Sequence, residues 1–162
     1  MDQYTFVKER LEEMGIPYRI IEHPAVMTTK EADRYIEDEE GVKTKTLFLC
    51  NKKSKAYYMV VTDGSKTVDM KALETLIPTK GLHFCSEEKL MQKLGLPAGT
   101  VSIFGLLNNE DHDVNIILDK GMLEEQYILF HPNVNTATAF IAMEDMFRFF
   151  EKTGYEYRIL EL

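Results

Sequence analysis

Tryptophan is absent from this chain of 162 residues, cysteine occurs twice and proline five times. Cys50 and Cys85 stand far apart, with no CxxC spacing and no paired histidine motif. That argues against a zinc knuckle or a disulfide framework and for two buried free thiols in a reducing compartment. No apolar run approaches the roughly 18 residues that a membrane-spanning helix needs. Met1-Asp2-Gln3-Tyr4-Thr5 lacks the basic and apolar regions of a signal peptide, so the expected location is the cytoplasm, with no membrane partner. Basic residues are scarce as well: 19 Lys and Arg face 27 Asp and Glu, a net charge of −8. This excludes a general nucleic-acid coat, whose affinity comes from cations meeting phosphates, though an average can hide a patch.

Several catalytic signatures are also missing. There is no GxxxxGK[ST] loop, no GxGxxG after a strand and no GxSxG elbow; Ser102 has glycine three residues away on each side. Asp111-His112-Asp113 is a run of adjacent residues on a polar loop, and such runs rarely converge on one ion without spaced partners. His23, His83 and His131 share no ligand spacing, so neither a metal nor another cofactor is expected.

What is present suits one globular domain spanning residues 1–162, with 44% hydrophobic and 28% charged residues. Asp2, Asp69 and Ser86 stand where they can cap helices, and Gly15, Gly95 and Gly154 where they can end them. Thr28-Thr29-Lys30-Glu31 fits a capping box opening a short helix toward Ile36. Glu144 to about Lys152 reads as a last helix with Phe147 and Phe150 near one face. Strands are expected at Tyr18–Glu22, Thr44–Cys50, Ala56–Thr62, His83–Cys85, Val114–Leu118, Tyr127–His131, Thr136–Ile141 and Glu156–Leu162. Strands outnumber helices and several loops have hairpin length, which predicts an α+β fold with a mixed, mostly antiparallel sheet and flanking helices.

Three stretches need a reason. In Val42-Lys43-Thr44-Lys45-Thr46-Leu47, period-2 geometry places both lysines on the face opposite the threonines. If that face were core, a partly buried lysine would be a functional candidate; at a solvated strand end it would be ordinary. The segment Gly99-Thr100-Val101-Ser102-Ile103-Phe104-Gly105 has glycine at both ends. It suits either close approach of a ligand to free N–H groups or a tight turn before a buried strand. In Phe130-His131-Pro132-Asn133-Val134-Asn135-Thr136-Ala137-Thr138 the histidine lies at a strand end, a place for a recognition residue or for a simple turn.

Together these stretches resemble the YbaK/ProX family of trans-editing aminoacyl-tRNA deacylases, as does His23-Pro24-Ala25-Val26-x-Thr followed by Glu31-Ala32. The similarity runs from the first helix to the last, in order, and is closest to the ProX branch. It implies a barrel-like version of the sheet and hydrolysis of the ester joining a wrong amino acid to proline tRNA. Ala-tRNA(Pro) is the expected substrate, Cys-tRNA(Pro) or another small species the alternative, and a tRNA- or protein-binding module without turnover a further one. Lys45 would be the essential lysine. Gly99, Ser102 and Gly105 would present the loop to the carbonyl or the 3′ end, with Phe104 beside them. His131, Asn135 and Thr136 would shape the amino-acid pocket, and His23, Pro24, Val26 and Thr28 another wall. The implied partners are the acceptor end of aminoacylated proline tRNA and prolyl-tRNA synthetase. Family members often carry proline after the loop serine, where this chain has Ile103.

An aminoacyl ester is already activated, so its hydrolysis needs an oriented water and a stabilised oxyanion more than a protein nucleophile. Discrimination against proline would be steric, with His131 beside Pro132 as the stiff wall. The charge is unevenly spread: residues 41–80 hold eight lysines against three acids, a local +5. Lys43, Lys52, Lys53, Lys55 and Lys66 from that segment are the expected tRNA-binding residues.

Overall fold

Among the described residues, three helices begin where a side-chain oxygen can take the orphan N–H groups of the first turn. The computed structural model describes residues 2–25, 34–36 and 39–162. In it, helix α1 (Gln3–Glu13) opens on Asp2, which accepts from the Thr5 N–H. Helix α2 (Met70–Leu76) opens on Asp69 and α3 (Glu87–Leu94) on Ser86, each accepting main-chain bonds, and Gly95 closes α3 in the left-handed conformation. Helix α4 (Met143–Thr153) ends at Gly154. Its buried face is Met143, Met146, Phe149 and Phe150, while Phe147 is only partly buried, so the expected stripe is displaced toward Phe149. The capping box at Thr28–Glu31 lies outside the described residues.

Eight strands form the sheet: β1 (Arg19–Glu22), β2 (Val42–Cys50), β3 (Tyr57–Asp63), β4 (His83–Phe84), β5 (Val114–Asp119), β6 (Tyr127–Phe130), β7 (Ala137–Ala142) and β8 (Tyr157–Leu160). Their order is β1-β7-β6-β2-β3-β5-β8, with β4 also on β2. Pairings β1/β7, β6/β7, β2/β3 and β2/β4 are antiparallel. Pairings β2/β6, β3/β5 and β5/β8 are parallel, which the long connections through helices allow. The sheet is therefore mixed, as expected. Among the described residues no ladder joins β1 to β8. The two halves meet at β2, whose Val42 and Lys43 pair with β6 and whose Thr44–Cys50 pair with β3.

Strand β2 is buried on both faces along its second half, hence its unbroken apolar run. Val42, Phe48 and Cys50 join the main core with α1, α3 and α4, while Leu47 and Leu49 face a second cluster built on Leu73 of α2 and Ile77 just after it. Lys43 and Lys45 share that second face but precede the stretch α2 covers, and both are half-buried. Gly41 makes the β6 join possible: at φ +120° its Cβ would lie 2.6 Å from Leu129 Cδ1 and 2.9 Å from the Tyr127 carbonyl.

Candidate active site

The pairing of β2 leaves a gap. On the edge away from β3, β6 covers Val42–Lys43 and β4 covers Leu49–Cys50; between them no strand among the described residues pairs with β2. A cavity of about 390 Å³ opens over this edge. Side chains from both faces of β2 line it, Lys43, Lys45 and Leu47 with Thr44, Thr46 and Phe48, as an unpaired edge permits. Gly99, Val101, His131, Thr138 and Cys85 complete much of the wall. The lysine strand, the glycine loop and the histidine loop, remote in sequence, meet here.

Lys45 Nζ donates to the main-chain carbonyl of Lys66. Lys66 in turn donates to Asp119 Oδ2 at 2.8 Å, and Thr62, the cross-strand neighbour of Lys45, donates to the same oxygen at 2.7 Å. Burial pushes the Asp119 carboxyl up, but Lys66, Thr62 and the Gly121 and Leu162 N–H groups outweigh it and hold the group below its usual range. Lys66 is therefore a brace behind Lys45, and its ammonium is ion-paired with Asp119.

His131 stands across the cavity. Burial pushes its pKa below the usual value, a nearby His23 adds to this and the Ala137 main chain opposes it, so the ring is neutral near pH 7. Its Nδ1 is buried without a partner among the described residues. A buried polar atom without a partner is costly, and one on a cavity wall is placed for a ligand or a water.

The Gly99–Gly105 segment divides in two. Gly99, at φ +87°, and Val101 face the cavity. Ser102, Phe104 and Gly105 do not: all three are buried and none lines it. Ser102 Oγ accepts from the Phe104 N–H, capping a 3-10 helix over Ile103–Asn108 where a strand had been the alternative, and donates to Asn133 Oδ1. Asn133 Nδ2 reaches the Phe104 carbonyl, so this asparagine ties the glycine loop to the histidine loop and sets Gly99 relative to His131. Gly105 is small for packing: a Cβ there would stand 3.0 Å from Leu96 Cδ1 and 3.3 Å from Leu94 Cβ. Ile103, buried, takes the first helical position, where proline is also well tolerated. The Ser102 cap and Asn133 hold the loop without it.

His23 is buried with Nε2 3.0 Å from Thr138 Oγ1, and Thr138 rather than His23 lines the cavity. Pro24 and Thr136 are exposed and Asn135 is half-buried; none of the three lines the cavity. Val26 and Thr28 lie outside the described residues. Lys52, Lys53 and Lys55 are exposed on the β2–β3 loop, about 20 Å along the strand from Lys45 at ~3.3 Å per residue. The Asp111-His112-Asp113 run holds no metal-type cluster among the described residues: both carboxylates pair with Lys93, and His112 stacks on Tyr155. Cys50 and Cys85 are free thiols, Cys50 buried and Cys85 half-buried. Burial and a hydrogen bond with Cys50 raise the Cys85 pKa. Thr138, Thr44 and the Lys66 carbonyl were missed by sequence reasoning; only Thr138, a lone threonine in an apolar strand, carried a signal.

The family model of the aminoacyl-tRNA editing domain matches residues 23–149, which hold this cavity and six of the eight strands, β2 to β7. The chain belongs to this family. It is 34% identical, over all of its length and 99% of the relative's, to the prolyl-tRNA editing protein ProX of Acetoanaerobium sticklandii. It is 30% identical to prolyl-tRNA synthetase associated domain-containing protein 1 of Bos taurus, across 95% of this chain and 92% of that one. A crystal structure described as a candidate trans-editing enzyme for prolyl-tRNA synthetase superposes with a TM-score of 0.76 at 20% identity, covering 100% of this chain and 98% of the other.

Proposed function

We propose that this protein is a free-standing deacylase that clears mischarged proline tRNA, with Ala-tRNA(Pro) as its substrate. The observation that carries the reading is the meeting of Lys45, Gly99 and His131 around one cavity, in a chain of the editing-domain family. At about 390 Å³ the cavity has room for an aminoacyl group and its ribose. Water attacks the ester carbonyl, the bond to the ribose oxygen breaks, and the water's proton passes to that oxygen, releasing amino acid and tRNA. The Lys45 ammonium is the positive charge nearest the developing oxyanion, and the unpartnered His131 Nδ1 offers a hydrogen-bonding position for the water or the substrate. Proline is refused by a stiff wall, with His131 fixed by Pro132 and the loop behind it.

The direct test is to incubate the protein with Ala-, Cys- and Pro-tRNA(Pro) and follow loss of the acyl label. Ala-tRNA(Pro) should be cleared well above the buffer rate and Pro-tRNA(Pro) spared; clearance of none of the three would sink the enzyme reading. With His131→Ala, hydrolysis of Pro-tRNA(Pro) should rise about tenfold or more relative to Ala-tRNA(Pro), the scale of one relieved steric contact. An unchanged ratio would remove His131 as the wall.

The exposed lysines of the β2–β3 loop are placed for phosphates of the acceptor stem. Changing Lys52, Lys53 and Lys55 together to alanine should weaken tRNA binding and flatten the plot of log affinity against log salt by roughly 2–3. A filter-binding series in rising salt reads both. Equal slopes for variant and parent would place the tRNA elsewhere.

A further inference from the structure

Main-chain groups alternate along a strand: the N–H and C=O of one residue face one edge and those of the next face the other. On β2 the phase is fixed at two points. The Lys43 carbonyl accepts from Gly64 on the β3 side, and the Phe48 carbonyl accepts from Cys85 on the β4 side. The even-numbered residues therefore turn their main chain toward the open edge. Thr44 sits at the β6 join, its hydroxyl donating to the Leu129 carbonyl at 2.5 Å. That leaves Thr46 mid-gap, with both its N–H and its C=O directed toward the cavity and no strand opposite among the described residues.

We propose that the main chain of Thr46 is the binding subsite for the amino-acid part of the ester, its carbonyl taking the α-ammonium and its N–H the ester carbonyl. An aminoacyl group carries a donor and an acceptor separated by one Cα, as a strand residue does. It can therefore pair with Thr46 as the narrow-spaced partner of an antiparallel ladder, a one-residue β-addition. Apolar neighbours, Leu47, Phe48 and Phe130, make an unpaired main-chain group there expensive and a ligand's pairing correspondingly valuable. Lys43 and Lys45 repel an ammonium elsewhere along β2. Glu87 is the competing acceptor, but it is exposed.

This subsite rests on the deacylase reading, and its tests separate the two. The Thr46 N–H faces away from β3, so Thr46→Pro removes it without breaking the β2/β3 ladder. A folded Thr46→Pro should hydrolyse Ala-tRNA(Pro) at least 50-fold more slowly than Thr46→Ala, which keeps the main chain. The unaltered protein should cleave N-acetyl-Ala-tRNA(Pro) at least 100-fold more slowly than Ala-tRNA(Pro), and Glu87→Gln should preserve that preference. Equal rates on the two substrates, or loss of the preference in Glu87→Gln, would overturn the proposal. Should Thr46→Pro not fold, the uncleavable amide of alanine with 3′-amino-3′-deoxyadenosine provides the second measurement. Titrated into 15N-labelled protein, it should move the Thr46 amide resonance among the largest shifts. Binding that leaves this resonance in place would refute the subsite even if deacylation is real, and a shift without any deacylation would fault only the enzyme reading.

Discussion

Lys45→Ala is expected to slow deacylation of Ala-tRNA(Pro) by about 10²–10³, the usual cost of removing one preorganised charge or donor at an oxyanion. The corresponding barrier change is about 3–4 kcal/mol. Fold should be little affected. The ammonium makes a hydrogen bond to the Lys66 carbonyl, and deleting one such bond at a half-buried site costs about 1 kcal/mol. Single-turnover rates under saturating enzyme, set beside a thermal melt, would separate the two effects. Lys45→Arg should not restore the rate. A planar guanidinium fork neither concentrates its charge at one point nor fits the position that the Lys66 carbonyl defines. A Lys45→Ala protein that clears Ala-tRNA(Pro) as fast as its parent would show that the charge lies elsewhere, and Lys43 on the same face would be next to test.

What the sequence disclosed was local. Asp2, Asp69 and Ser86 cap helices because a cap needs only a side chain and the next turn, and Gly95 ends α3 for an equally local reason. The alternation that put Lys43 and Lys45 on one face of β2 survives because period 2 is a property of any strand. The gap in the edge of β2 was invisible, since it depends on where β4 and β6 stop, and both arrive from far along the chain. The division of the glycine-flanked loop was hidden for another reason. A glycine admitting a ligand and a glycine admitting Leu94 and Leu96 look alike in one dimension, and only packing distinguishes Gly99 from Gly105. Likewise the partner of Ser102, Asn133, lies 31 residues away and could not be read from the loop itself.

Asp119 supports the site from beneath, and Asp119→Ala should destabilise the fold by on the order of 3 kcal/mol. The carboxylate is 1% exposed and accepts from Thr62, Lys66 and the N–H groups of Gly121 and Leu162. Alanine would leave the Thr62 hydroxyl unpaired in the core and release Lys66, whose ammonium is exposed enough to be solvated; this keeps the loss below that of a fully buried pair. Asp119→Asn, which keeps the shape and removes the charge, should lose roughly half as much. Because the folded carboxyl is held below its unfolded value near 4, its contribution is complete above that pH and declines as pH falls through the lowered pKa. The stability gap between parent and Asp119→Ala should therefore be widest above about pH 5 and narrow in acid, measurable by urea unfolding across that range. A gap that stayed constant with pH would mean that Asp119 contributes packing rather than charge. Activity gives a second readout. Lys66 anchors its own carbonyl, on which the Lys45 ammonium rests, so Asp119→Asn should lower the deacylation rate severalfold at temperatures where it remains fully folded. An unchanged rate there would confine the brace to stability and leave Lys45 positioned by β2 alone.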